Sequence, residues 1–189
     1  MKKNIRMVLC IIGCVCIGYS VIMQIVISNR EYVLSPDVTE WIFNATPEEF
    51  IGEYVDYKKP FNEFGTDAYI DDNGNLVLYL LPEQIDAWKE SCSGAISAAQ
   101  NVGYQINDDY SGFCIRGNKS EISTMIDKFP LWLIHEMLLN QILTKKSPET
   151  VSVEVSVIEE ATGNILYQAF APKQEIKLSV RDWIFTEDN

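Results

Sequence analysis

The sequence contains one histidine, His135, and few basic residues: 15 lysines and arginines stand against 27 aspartates and glutamates, for a formal net charge of −12. A single histidine excludes metal sites that need two or more histidine ligands. The shortage of basic residues excludes the positive patch with which nucleic-acid-binding proteins contact phosphates. The glycine motifs of nucleotide-binding loops are also missing. The sequence therefore indicates no nucleic-acid partner, no metal and no cofactor.

The N-terminal region contains a long apolar run. Residues 7–27 carry no charge, and these 21 residues would extend about 31 Å as a helix, enough to cross a bilayer. Lys2, Lys3 and Arg6 precede the run, so the positive-inside rule places the N-terminus in the cytoplasm. We therefore predict a single-pass membrane anchor over residues 1–28, with the rest of the chain extracytoplasmic at the cell membrane.

Two alternatives to a retained anchor stay open. The apolar run is also compatible with a cleaved secretory signal. Ile11-Ile12-Gly13-Cys14 resembles a lipobox, in which Cys14 would be the lipidated residue. The residues after Cys14 remain apolar, however, whereas lipoproteins usually continue with a polar tether.

Cys92 and Cys114 are the two cysteines that follow the apolar run. In an oxidising compartment they could form a disulfide that closes a 23-residue loop, which would stabilise the fold by about 3 kcal/mol. The alternative is two free thiols, because two cysteines are too few to indicate a disulfide framework.

The remaining chain is predicted to consist of a linker over residues 29–66 and a domain over residues 67–189. Ser35-Pro36-Asp37 is typical of a turn within the linker. The linker is expected to contain one short helix, because Thr46 and Glu49 have the spacing of a capping box.

The predicted domain is α+β, with a mostly antiparallel sheet packed against two or three helices. Turn residues, apolar alternation and helical periodicity predict its elements. These are a hairpin 69–80 that turns at Asn73-Gly74, a helix 82–102, strands 104–107 and 113–116, a helix starting at Ser120 and interrupted at Pro130, an apolar helix 131–143, a hairpin 151–169 and a possible last strand 175–180. The order from residue 76 to 170 is β-α-β-β-α-β, which matches the ferredoxin-like fold by element count.

The helix predicted after Pro130 is apolar on nearly every face. Such a helix is either buried or forms an interface, and it is too short to span a membrane. If it forms an interface, Leu131, Trp132, Leu133 and Leu138 are the candidate contact residues.

Catalytic motifs are weak in this sequence. His135 precedes Glu136, but the second histidine of a zinc-protease helix is missing. Carboxylates occur as adjacent pairs at 71–72, 108–109 and 159–160, all in or beside predicted turns. A carboxylate-dependent hydrolase is therefore kept only as an alternative.

Three segments resemble small exported or membrane-anchored proteins of Gram-positive bacteria: residues 70–78, residues 87–91 and residues 153–166, which include the turn Thr162-Gly163. The resemblance implies an anchored or secreted domain and assigns no catalytic residue. The leading hypothesis is a membrane-anchored extracytoplasmic module that binds envelope proteins or has a structural role. The alternative is a small-molecule-binding accessory protein or lipoprotein of an envelope system.

Overall fold

The computed structural model describes residues 30–56, 67–127, 129, 131–179, 181 and 183. The predicted anchor over residues 1–28, with its apolar run 7–27, and the candidate lipidation site Cys14 lie outside the described residues. In the described part of the chain, no helix is both long and apolar enough to cross a membrane.

Helices and strands are mixed along the described chain, which confirms the α+β class. The strands are β1 (Glu31–Leu34), β2 (Asp67–Ile70), β3 (Leu76–Tyr79), β4 (Gln105–Ile106), β5 (Gly112–Gly117), β6 (Val153–Glu159) and β7 (Ile165–Ala171). The helices are α1 (Pro36–Phe43), α2 (Pro47–Asp56), α3 (Pro82–Val102), α4 (Lys119–Asp127) and α5 (Leu131–Leu143), with a 3₁₀ turn at Pro148–Thr150.

The described strands form two sheets. One has the order β1-β3-β2 and the other has the order β4-β5-β6-β7. The pair β5–β6 is parallel and the other described pairs are antiparallel, so the prediction of mostly antiparallel pairing is confirmed. A parallel pair needs a crossover connection, and α4 and α5 lie in it. The ferredoxin-like arrangement is not confirmed, because β3 lies in a different sheet from β4, β5 and β6.

The prediction of a linker before residue 67 is wrong for β1 and α1. Strand β1 pairs with β3 along its whole length, from Glu31 opposite Tyr79 to Leu34 opposite Leu76. Ser35-Pro36-Asp37 is the start of α1, with Ser35 as the N-cap. Proline is favourable at the first helical position because no backbone N–H is needed there. These elements therefore belong to the domain rather than to a tether.

Local capping signals set the ends of several helices. The predicted capping box of α2 is confirmed, since the Thr46 N–H donates to the Glu49 carboxylate at 2.9 Å and the Glu49 N–H donates to the Thr46 hydroxyl at 3.2 Å. Helix α4 starts at Lys119 rather than at the predicted Ser120. The Asn118 side chain accepts hydrogen bonds from the backbone N–H groups of Ser120 and Glu121, and an amide oxygen at this position is a strong cap.

Both predicted hairpins are present. The turn at Asn73-Gly74 joins β2 to β3, and Gly74 has a φ of +81°, which glycine adopts without strain. The predicted last strand over 175–180 is not formed by the described residues 175–179. The chain turns directly after β7, at Pro172 and Lys173, and the Gln174 side chain accepts a hydrogen bond from the Phe170 N–H at 2.8 Å.

One hydrophobic core joins the two sheets, and α5 lies at its centre. It contacts α1, α3, β1 and β6. The buried apolar side chains of α5 are Leu133, Ile134, Met137, Leu138, Ile142 and Leu143. The first two residues of the helix are different, since Leu131 is 56% exposed and Trp132 is 48% exposed. The apolar character of the segment therefore reflects burial on most of its length.

Candidate functional site

A pocket of about 480 Å³ lies between α1 and the segment that follows β7. Its volume is in the range of small-molecule binding pockets. It is lined by Asp37, Glu40, Trp41, Asn44, Pro172, Lys173 and Glu175. Three carboxylates, one amide, one ammonium and one indole therefore contribute to its walls.

The inner wall is one face of α1. Asp37, Glu40, Trp41 and Asn44 are separated by three or four residues, so they lie on the same side of the helix. The opposite side carries Val38, which is buried in the core. Because the core fixes the rotation of α1 about its axis, the four pocket residues are held towards the second wall.

The outer wall follows β7. Pro172, Lys173 and Glu175 line it, and Gln174 fixes its path through two hydrogen bonds to Phe170, one donated by the Gln174 N–H at 2.9 Å and one accepted by its side chain. The Glu175 carboxylate is 2.6 Å from the Lys177 ammonium. This ion pair is exposed, so its contribution to stability is small.

The α1 side of the pocket is electrically negative. Asp37 and Glu40 are exposed, and neither forms an ion pair or a side-chain hydrogen bond with a residue that the structure describes. No basic residue lies in the last turn of α1, and a helix C-terminus carries a partial negative charge. Glu40 therefore adds its charge at the negative end of the helix.

Trp41 connects the pocket to α5. Its ring meets the His135 ring edge-on, with centroids 6.5 Å apart. Burial lowers the pKa of His135 below its usual value, although the Glu136 carboxylate and the Trp41 backbone act in the opposite direction. The Trp41 indole N–H is buried and has no hydrogen-bond partner among the described residues.

A polar cluster lies between α3 and α5. The Ser91 hydroxyl donates a hydrogen bond to Glu136 at 3.1 Å. Burial, followed by the nearby Glu136 carboxylate, raises the pKa of the Cys92 thiol to about 12. Cys92 is therefore protonated at neutral pH, whereas a nucleophilic cysteine must be a thiolate.

The possible disulfide between Cys92 and Cys114 is not formed, since both are free thiols. Cys92 is buried in the core. Cys114 lies on β5 between Phe113 and Ile115, whose side chains point into the core. Successive side chains of a strand point to opposite faces, so Cys114 faces away from Cys92.

The structure separates the four candidate interface residues. Leu133 and Leu138 are fully buried, so the prediction that they form an interface is wrong. Leu131 and Trp132 are exposed at the start of α5 and stay candidates for a contact.

One carboxylate of each pair accepts hydrogen bonds within its own turn. Asp71 accepts hydrogen bonds from the N–H groups of Asn73 and Asn75 at 2.9 and 2.8 Å. Asp109 accepts from the Ser111 N–H at 3.1 Å, and Glu159 accepts from the Thr162 hydroxyl. No group of three or more potential metal ligands is found among the described residues.

The free energy of unfolding is expected to fall on acidification partly because of His135. The unfolded chain binds a proton at the ordinary histidine pKa, about 6.5, and the folded chain binds it only at lower pH. His135 therefore favours folding above about pH 6.5, and this contribution is lost as the pH falls through the lowered pKa.

Urea unfolding of the full chain in detergent at pH 7 and pH 5 tests this expectation. His135→Gln, which keeps a donor towards Trp41, should lose less stability than the wild type between the two pH values. An equal loss in both proteins would contradict the assignment.

The sequence analysis does not predict the pocket, because Ser35-Pro36-Asp37 is typical of a turn. The signal that could have revealed α1 is Pro36 followed by Asp37, Glu40 and Trp41 at helical spacing.

No protein family, no curated protein and no solved structure matches the chain.

Proposed function

We propose that the chain is a membrane-anchored, extracytoplasmic binding module that takes a small ligand or ligand group in the pocket between α1 and the segment after β7. The observation that carries this proposal is the pocket itself, which combines a volume of about 480 Å³ with an indole and several charged groups. Concave sites with one aromatic wall and a few polar groups are typical of ligand binding.

Binding is better supported than catalysis. One carboxylate of each described pair is hydrogen-bonded within its own turn, and the Cys92 thiol is protonated at neutral pH. The His135 ring is partly buried and packs edge-on against the Trp41 ring. The pocket residues Asp37 and Glu40 form no ion pair and no side-chain hydrogen bond with a described residue, so no described neighbour orients either of them for catalysis.

Thermal unfolding of the full chain in detergent, measured against a panel of small molecules and short peptides, tests the proposal. A ligand that binds the folded state raises the melting temperature. Each active compound is then measured against Lys173→Trp, which fills the pocket from its outer wall. We expect the shift to disappear in this variant.

Lys89→Trp is the matched control, because Lys89 is exposed on α3 and does not line the pocket. It should leave every shift unchanged. A panel without any active compound, or active compounds that Lys173→Trp does not affect, would contradict binding at this pocket.

Location is tested separately with a C-terminal tag on the full chain. External protease should remove the tag on intact cells, and carbonate should not extract the protein. The intact mass distinguishes a retained N-terminus from cleavage or from lipidation at Cys14. A tag that is protected until the cells are lysed would contradict an extracytoplasmic domain.

The exposed pair Leu131–Trp132 favours a second candidate function, which is contact with an envelope protein. Adjacent large apolar side chains that are about half exposed are the kind of residues that anchor protein interfaces. A photo-cross-linker placed at Trp132 should capture a partner in intact cells, and the same group at the exposed residue Glu90 should not. Equal labelling from both positions would contradict a specific contact.

A further inference from the structure

We infer that the pocket on α1 recognises an organic cation, namely an alkylammonium or guanidinium group. This inference rests on the proposed function, because it names the chemical class of ligand for the same pocket. The cation would lie against Trp41 and between the carboxylates of Asp37 and Glu40.

The arrangement of charge on α1 favours a cation. Asp37 and Glu40 lie three residues apart on one helix face, and like charges at this spacing repel each other. Neither carboxylate forms an ion pair with a described basic residue, although Lys173 lines the opposite wall of the pocket. A ligand cation between the two carboxylates would remove this repulsion and would also interact favourably with the negative end of α1.

Trp41 favours an organic cation over a metal ion. An indole face attracts ammonium and guanidinium groups through its quadrupole, whereas it offers no oxygen ligand to a hard metal ion. Among the described residues, no group of three or more potential metal ligands is present. The alkyl part of an organic cation can also cover the apolar surface of Trp41 and Pro172, which line the pocket together.

The rest of the molecule is consistent with a cationic ligand. The chain has a net charge of −12, and a negative field raises the local concentration of cations and their association rate. Lys173 is the one basic side chain among the residues that line the pocket, and it lies on the outer wall. The cationic group is therefore expected on the α1 side.

Three five-carbon probes with different charges test the inference: pentylamine, 1-pentanol and pentanoate. Binding to the full chain in detergent is measured by titration calorimetry at low and high salt. We expect pentylamine to bind at least about tenfold more tightly than the other two, and its affinity to fall with salt because exposed charges are screened. Tri-lysine peptide, tested in parallel, distinguishes a free amine from a basic side chain as the source of the cation.

The double variant Asp37→Asn/Glu40→Gln should weaken pentylamine binding about tenfold or more. Asp86→Asn/Glu90→Gln, which removes the same charge from exposed positions on α3, should change it less than about twofold. An equal loss in both double variants would overturn the inference, because only the overall charge would then matter.

The inference and the proposed function fail in different ways. If 1-pentanol or pentanoate binds as well as pentylamine, and Lys173→Trp prevents that binding, the pocket binds ligands but the cation inference is overturned. If none of the three probes binds and no compound of the wider panel binds, both are overturned.

Discussion

Leu138→Ala is expected to lower the free energy of unfolding by about 3 kcal/mol, whereas Leu131→Ala should lower it by less than about 1 kcal/mol. Leu138 is fully buried in the core, and Leu131 is 56% exposed. Removing a buried leucine side chain loses its transfer free energy and leaves a cavity, which costs about 2–5 kcal/mol. The same truncation at an exposed position loses little transfer free energy and leaves no internal cavity.

The comparison is controlled within α5, since both variants replace leucine by alanine in the same helix. The gain in helix propensity is small for this exchange, because leucine is itself a good helix former. Urea unfolding of the full chain in detergent, followed by tryptophan fluorescence, gives the two values. A small loss for Leu138→Ala would mean that this side of α5 is a surface, as the interface prediction assumed.

Local signals made much of the fold predictable. The helix predicted over 82–102 matches α3, because its apolar residues recur at helical spacing and Gly103 ends it with a φ of +104°. The hairpin between β2 and β3 was predictable from Asn73-Gly74, a common turn dipeptide, although only Gly74 has a positive φ in the structure. Both signals lie within a few residues of the element that they define.

Non-local features could not be predicted in the same way. Strand β1 has only four residues, too few for a clear alternation, and it is held in place by pairing with β3 more than 40 residues later. The parallel pairing of β5 with β6 depends on the path of α4 and α5 between them. Nothing in the sequence of either strand specifies that partner.

The pocket is non-local for the same reason. Its inner wall is residues 37–44 and its outer wall is residues 172–175, so the two walls are distant in sequence. Asp37 and Glu40 can be recognised as neighbours on one face only once α1 is known to be a helix. Their placement opposite Lys173 depends on the turn after β7, where a further strand was predicted.

Trp41 gives the pocket a direct structural connection to the core. It lines the pocket on one side and contacts His135 of α5 on the other. Substitutions that loosen α5 are therefore expected to affect ligand binding as well as stability, although they lie away from the pocket. For this reason, the binding experiments use Asp37, Glu40 and Lys173, which are exposed, rather than Trp41.

Gln141→Leu should lower the free energy of unfolding by about 3 kcal/mol, although leucine is similar in size. Gln141 is 1% exposed. Its amide nitrogen donates hydrogen bonds to the carbonyl oxygens of Tyr110 and Ser152 at 2.9 and 2.8 Å, and its oxygen accepts from the Ser152 N–H at 3.2 Å. The substitution would leave these backbone groups unpaired, and each buried unpaired group costs about 1–3 kcal/mol.

The effect should be larger than burial alone implies, because Gln141 holds a strained turn. Tyr110 has a φ of +56°, a conformation that is unfavourable for residues other than glycine.

Asn140→Leu is the matched control, since Asn140 is the preceding residue of α5 and is only half-buried. Its loss should stay below about 1 kcal/mol in the same urea experiment. An equal loss of unfolding free energy in the two variants would mean that water replaces the hydrogen bonds of Gln141. The Gln141 side chain would then not contribute to holding α5 against the chain at the start of β6.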